Sequence, residues 1–384
     1  MDPCRVYQHW NPGRLIFGPK SLNEVAKEIS SKEVPLIVTD RGISHASILT
    51  KVTEVLEGAA IQFHVFDGIE PDPPMEIVEE AAATYRNHGC TLVIGLGGGS
   101  SIDGAKAVSL IASQKGTLRE YGAGRPIEDT IPPIYAIPTT AGTGSEVTGV
   151  AVISDYENKI KMVIRGPQLI PRLVILDPEL LRSIPPKVAA ETGADALAHA
   201  VESYVSLNSH VITEAFALSA IRIITRYLRR MVANPEDIET SGQMLIASCM
   251  AGLSFSNAGL GLTHSLAHPV GAHYHLSHGL SCAIYLPIVM DFNLPTTPEK
   301  FASIADAMGM NVRQLSLHYA AKQAVLAVRE LFVDIGIPKT FSELGISFQL
   351  FPKMVDDALA AVPTKLNPRR ADREQISKLF KSPS

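Results

Sequence analysis

Through the first half of the chain, short β-branched runs alternate with stretches whose apolar residues recur at helical spacing. Pro35–Asp40 (PLIVTD), Ile61–Phe66 (IQFHVF) and Thr91–Leu96 (TLVIGL) read as strands, with helices at His45–Glu57 and Met75–His88. Ser21-Leu-Asn-Glu24 has the form of a capping box and predicts a helix start. Between Ile131 and Asp177 the runs IPPIYAIP, VTGVAVIS and LVILD add further strands. Alternation at this spacing calls for a parallel sheet covered by helices on both faces. After Pro185-Pro186 the texture changes to long Ala/Leu-rich helical pattern, as in KVAAETGADALAHAVESYV and TEAFALSAIRIITRYLRRM. The pattern predicts an α/β domain over residues 1–184 and an all-helical domain over 185–384, with the boundary near Ile184–Pro186. No internal repeat or low-complexity linker interrupts it.

Composition agrees with a large folded chain: of 384 residues 46% are apolar, and 34 basic against 39 acidic residues leave a net charge of −5. Without a Lys/Arg block there is no electrostatic footprint for nucleic acid or an anionic membrane surface. The N-terminal stretch lacks a signal-peptide core, and no uncharged run approaches the roughly 18 residues of a spanning helix, so the expected location is the cytoplasm. Cys4, Cys90, Cys249 and Cys282 are far apart and form no CxxC, the usage of reduced, buried thiols.

Two glycine-rich segments follow strands. Gly97-Gly98-Gly99-Ser100-Ser101 stands at the head of a predicted helix, where close backbone approach and the helix N-terminus favour a phosphate. It lacks the third spaced glycine of the usual dinucleotide fingerprint, and it also fits a tight turn with Ser as N-cap. Pro138-Thr-Thr-Ala-Gly-Thr-Gly-Ser-Glu146 is crowded with hydroxyls. Two such loops at strand C-termini of one open sheet face the same crevice and suit one extended ligand with phosphate and ribose oxygens. Asp40 ends the first of these strands, where a carboxylate accepts from a ribose diol and repels a 2′-phosphate, favouring NAD over NADP; it equally fits a turn residue in TDRG.

Five of the twelve histidines lie between His264 and His278, in GLTHSLAHPVGAHYHLSHG, and Asp195 and His199 stand i, i+4 in ADALAHAVE. His264 and His268 repeat that spacing, so two helices can each present a pair of side chains to a shared divalent metal. Spacing leaves open which of His264, His268, His273, His275 and His278 bind.

These residues resemble the iron-containing (group III) alcohol dehydrogenases, a family that includes lactaldehyde reductase and 1,3-propanediol dehydrogenase. The resemblance spans essentially the whole chain and rests on GGGSSIDGAK (97–106), PTTAGTGSEVT (138–148), LDPEL…PP…ETGADALAHAVE (176–202), FSNAGLGLTHSLAHPVGAHYHLSHG (255–279) and the late NPR (367–369). It implies the fold of that family, an N-terminal α/β nucleotide-binding domain and a C-terminal all-helical metal-binding and catalytic domain with the active site between them. It also implies metal ligation by Asp195, His199, His264 and His278, with His268 near the metal. Nucleotide contacts are implied at Asp40, at Gly98, Gly99 and Ser100 for the pyrophosphate, at Thr139, Thr140 and Thr143, and at Lys161 for the ribose.

The implied activity is NAD-dependent interconversion of a small alcohol and its aldehyde. The metal, Fe(2+) by resemblance but Zn(2+), Mn, Ni or Co by donor chemistry, acts as a Lewis acid, and His268 is the candidate proton relay or else an orienter of a ligand. Apolar Gly149-Val150-Ala151, where propanediol-type relatives often carry a polar residue, points to a small unbranched primary alcohol. Asp72 stands where relatives often have Asn and is expected to weaken or alter a nucleotide contact. Phe255 matches a substrate-pocket aromatic or serves the core. A hydroxy-acid or diol dehydrogenase of the same family is the nearest alternative; a metal-dependent lyase or hydrolase would not need the two loops and Asp40. A homodimer or larger homo-oligomer is the expected assembly.

Overall fold

The computed structural model describes residues 6–158 and 160–383, so Cys4 lies outside it. The chain divides into two compact units, Trp10–Ile184 on one hand, and Pro185–Ser384 with the residues up to His9 on the other. Residues 6–9, expected within the α/β part, group with the helical unit: the Tyr7 and His210 rings lie 5.2 Å apart, and His9 stacks on Phe216 at 6.0 Å.

The unit Trp10–Ile184 is built on a six-stranded sheet of β1 (Arg14–Phe17), β2 (Pro35–Asp40), β3 (His64–Ile69), β4 (Leu92–Gly97), β5 (Ile134–Pro138) and, after a separate hairpin, β8 (Leu173–Leu176). The order is β1-β8-β5-β4-β2-β3 and every pairing is parallel. β4, β5 and β8 are buried along their whole length, which is why they read as continuous apolar runs rather than alternating ones. The chain passes from β2 outward to β3 and returns to β4 on the other side of β2, so the strand order reverses between β2 and β4. Asp40 and Gly97 end those two strands, and Pro138 ends the neighbouring β5.

The helices of this unit are α1 (Arg41–His45), α2 (Ile48–Gly58), α3 (Met75–Asn87), α4 (Gly99–Ser113) and α5 (Leu118–Gly122). Several expectations are corrected. Residues 21–28 form a 3-10 turn rather than an α-helix opened by a capping box, because Lys20 enters in the left-handed region at φ 63° and no side chain caps the end. The helix expected over 45–57 is broken at Ser47, φ 60°. The strand expected at 61–66 is displaced to 64–69, pairing Leu36 with His64. The run VTGVAVIS does not join the main sheet; β6 (Val150–Asp155) pairs antiparallel with β7 (Ile160–Arg165).

The other unit is helical: α6 (Pro186–Val205), α7 (Val211–Ala233), α8 (Ile238–Ala258), α9 (Leu262–Tyr274), α10 (His278–Asn293), α11 (Pro298–Ala307) and α12 (Leu317–Asp334), followed by shorter helices. Every residue from Gly193 to Val205 is buried, making α6 a central rather than amphipathic helix. Among the described residues no single helix is long and apolar enough to cross a membrane.

Candidate metal centre and nucleotide loops

In the helical unit, α6 carries Asp195 and His199 on one face, one turn apart. Residue 202 continues that face, and its carboxylate lies at the N-terminus of α9. Glu202 accepts hydrogen bonds from the backbone N–H groups of Gly261 (2.9 Å) and Thr263 (2.5 Å), where a negative charge is favoured by the helix dipole. The same carboxylate lies 2.7 Å from His264 Nδ1. Both groups are buried. Burial opposes charge on each, but the mutual hydrogen bond and attraction prevail, holding the His264 pKa above its ordinary value and that of Glu202 below. A donated Nδ1–H fixes the ring and turns the Nε2 lone pair the other way.

His278 arrives from the start of α10, whose N-cap Ser277 donates to Glu191 Oε2 of α6 at 2.5 Å. Gly279 makes this approach possible: a Cβ there would stand 2.4 Å from the Glu191 carbonyl oxygen. Asn367, from the NPR motif, accepts from Leu262 N–H at 3.3 Å and exchanges side-chain hydrogen bonds with Asn293, tying α9 to α10.

These supports bring three imidazoles around one oxygen. Nε2 of His199, His264 and His278 lie 3.8, 3.8 and 3.6 Å from Asp195 Oδ1. A tetrahedron with metal–ligand bonds of about 2.0–2.3 Å has edges of roughly 3.3–3.8 Å, and each of these three spacings matches one such edge. Asp195 and His264 are 2% and 1% exposed, yet Asp195 Oδ1 and His264 Nε2 take no hydrogen bond among the described residues. Leaving two such atoms unsatisfied costs about 1–3 kcal/mol each, and a cation at their common point removes that cost. The residues present therefore fit a divalent metal. A fifth group, Cys282, shares the cluster: its thiol and the donor atoms of Asp195, His264 and His278 all lie within 4.8 Å of one another.

The remaining histidines separate. His268 is exposed, its ring 5.2 Å from that of His278 and 6.1 Å from that of His264. His273 stacks on Phe351, and His275 takes the left-handed conformation (φ 53°) that ends α9. Phe255 stacks on His199 at 4.4 Å.

In the α/β unit the glycine run becomes the end of β4 and the first turn of α4. Gly98 is the N-cap, and the first helical bond runs from Ile102 N–H to its carbonyl, leaving the earlier N–H groups outside the ladder. Gly97 adopts φ 142°, and a Cβ there would stand 2.5 Å from Ser101 Oγ. Ser101 Oγ donates to Asp40 Oδ2 (2.9 Å), while Asp40 Oδ1 caps α1 by accepting from Ile43 N–H (3.1 Å). Each carboxylate oxygen keeps a second acceptor position. The hydroxyl-rich loop lies against the glycine run: Thr139 N–H donates to the Gly97 carbonyl at 3.0 Å, Thr143 contacts Gly99 and Thr140 faces Gly98. Lys161 pairs with Asp72 at 2.6 Å, and Asp72 N–H donates to Ser100 Oγ at 3.3 Å, so Asp72 links two of the residues expected to meet the nucleotide.

Beneath both loops runs a buried polar network. Asp103 accepts from Ser145 Oγ (2.9 Å) and Val152 N–H (3.0 Å); the fully buried Lys106 donates to Thr148 Oγ1 (3.0 Å) and the Val150 carbonyl (2.7 Å). Burial pushes the Glu146 carboxyl up to about 7 and, against the attraction of Asp103 and Glu146, the Lys106 ammonium down to about 8. This network accounts for the residues GGGSSIDGAK and SEVT beyond the glycines. Of Gly149-Val150-Ala151, Ala151 is buried in the core of this unit, while Gly149 and Val150 are half-buried.

Comparison with known proteins decides the family. A model described as iron-containing alcohol dehydrogenase matches residues 12–178, and one described as Fe-containing alcohol dehydrogenase family, C-terminal, matches 189–383. The chain belongs to the iron-containing alcohol dehydrogenase family. Within it, a 1,3-propanediol dehydrogenase of Klebsiella pneumoniae is 37% identical over 381 residues, covering 98% of both chains. An NAD-dependent methanol dehydrogenase of Bacillus methanolicus is 37% identical over 374 residues, covering 97% of this chain and 98% of that one. A crystal structure of 1,3-propanediol oxidoreductase superposes with a TM-score of 0.96 at 37% identity, covering 99% of this chain and 100% of that one. The family assignment makes this chain an oxidoreductase. Sequence reasoning gave no role to Glu202, whose signal was its place three residues after His199 on the same helical face, and read Cys282, one turn after His278 in HGLSC, as a buried small hydrophobe.

Proposed function

We propose that the protein interconverts a small unbranched primary alcohol and its aldehyde with NAD(H), using a divalent metal held by Asp195, His199, His264 and His278. The observation that carries this reading is the pair of buried, unsatisfied atoms, Asp195 Oδ1 and His264 Nε2, converging with two further imidazole nitrogens. When bound, the ion, iron by family with zinc or another divalent metal also suited to the donors, supplies Lewis acidity to the substrate oxygen, and the nicotinamide carries the hydride.

The chain's own residues do the rest. Glu202 holds the His264 ring in the ligating orientation. Gly98, Gly99 and Ser100 offer helix N-terminal N–H groups to the pyrophosphate, and Thr139, Thr140 and Thr143 add hydroxyls beside them. Asp40 accepts from ribose hydroxyls and disfavours a 2′-phosphate. Lys161, shared with Asp72, reaches the ribose. His268, exposed beside His278, moves the proton between the substrate oxygen and solvent. Phe255 backs His199 with an apolar face. The names of the two relatives described above, which concern 1,3-propanediol and methanol, support a short substrate. We further propose a cytoplasmic homo-oligomer, which light scattering of the purified protein tests.

The decisive assay follows absorbance of reduced nicotinamide with a panel of short aldehydes, anaerobically, with and without Fe(II). Metal-dependent NADH oxidation, weaker with NADPH, is the expected result. Absence of nicotinamide-linked turnover with every short aldehyde and alcohol would overturn the proposal.

A further inference from the structure

Cys282 has no part in the reaction above, yet its thiol lies within 4.8 Å of the ligand atoms of Asp195, His264 and His278. It lies on α10, one turn after His278, with its side chain fully buried and its Sγ 3.6 Å from His278 Nε2. That separation matches those between the other ligand atoms and the edge of about 3.3–3.8 Å expected of a tetrahedral site. Among the described residues Asp195 Oδ1 and His264 Nε2 are buried without hydrogen bonds, and Asp195 and His264 belong to the same group of donor residues as Cys282.

Two four-donor sets therefore overlap. Asp195, His264 and His278 are common to both; His199 completes a set of one oxygen and three nitrogens, and Cys282 completes one of oxygen, two nitrogens and sulfur. The first suits Fe(II). The second, with a soft donor and tetrahedral spacing, suits Zn(II) and its spectroscopic surrogate Co(II). We propose that Cys282 is a metal-ligating residue that binds Zn(II) or Co(II) directly and biases the centre toward those ions over Fe(II). On ligation the sulfur–hydrogen bond gives way to a sulfur–metal bond, the proton passes to solvent, and no electron is transferred. This rests on the ligand assignment proposed above, but not on the substrate or on turnover.

The test uses the full-length protein stripped of metal by chelation and reloaded anaerobically with one equivalent of Co(II). The parent is expected to show a thiolate-to-cobalt charge-transfer band in the near ultraviolet. Cys282→Ser, at equal cobalt content, is expected to lose it, and His199→Ala to keep it. In competition, Cys282→Ser is expected to lower the preference for Zn(II) over Fe(II) at least tenfold. Zinc-edge X-ray absorption of the parent alone, which no variant's folding can compromise, is expected to show a sulfur neighbour at about 2.3 Å. Cobalt bound without the band, a band that persists in Cys282→Ser, or a zinc edge without sulfur overturns this inference and leaves the four-ligand reading intact. A parent that binds no divalent ion overturns both.

Discussion

The two chemical regions of this molecule are held by opposite means. Around Gly97–Ser101 the groups proposed to meet the nucleotide are backbone N–H groups, set by a positive φ at Gly97 and a helix start at Gly98 and joined by the hydroxyls of the neighbouring loop, with charged side chains buried underneath as struts. Around Asp195 the ligand-facing groups are side chains, and backbone N–H groups serve as the support, through Glu202 at the start of α9. A region made of backbone tolerates side-chain exchange but not added bulk. A region made of side chains loses its function with any one of them. Substitutions should therefore separate the two functions cleanly.

The largest expected effect is at Asp195. Asp195→Ala removes the shared carboxylate, and kcat should fall roughly a thousandfold or more, since the Lewis-acid contribution it supports is several kcal/mol. NADH affinity, read by fluorescence titration, should stay within about twofold; a large loss of NADH binding would break the separation.

Next is the strut Glu146. Folded, it keeps its proton up to about pH 7, whereas its ordinary value is 4.5. The folded state thus binds more protons across that window, so this residue makes stability fall as pH rises from about 4.5 to 7. Glu146→Gln should flatten that fall, by on the order of a few kcal/mol. Urea melts at pH 5 and pH 7 read it directly, and an unchanged pH slope would contradict it.

Glu202→Gln keeps the shape but weakens the hold on His264, and metal affinity should drop roughly 10- to 100-fold. Competition with a chelator measures this, with NADH affinity as the unchanged control. The smallest effect is at Gly97. Gly97→Ala must shift Ser101 and abandon a φ that disfavours side chains, costing about 1–3 kcal/mol locally. NADH affinity should weaken about tenfold, while the metal content stays at that of the parent.

How much of this was legible in the sequence follows the same division. The clustering of histidines and the two glycine-rich loops were legible because spacing and glycines act locally, as where Asp195 and His199 share a helix face at i, i+4, but spacing paired His264 with His268 and did not single out His278. Fully buried strands such as LVIGL were legible as unbroken apolar runs. The strand at His64–Ile69 was misplaced because Asp67 and Gly68 disguise its end, and the break at Ser47 carries no proline or glycine to mark it. The pairing of β6 with β7 depends on a partner, IKMVIR, whose alternation is half exposed and weak. The placements of Glu202 and Cys282 were not legible for a different reason. They arise only when α6, α9 and α10 meet, through a carboxylate at a helix start and a thiol one turn beyond His278. The NPR motif, legible as a resemblance, gains its physical content from Asn367 tying the start of α9 to Asn293.

The most direct test of the account is the iron content of anaerobically reconstituted protein, compared between the parent and the single variants Asp195→Ala, His199→Ala, His264→Ala and His278→Ala. The account predicts about one iron per parent chain and a marked loss in each variant; full iron retention by any one of them would contradict the proposed ligand set.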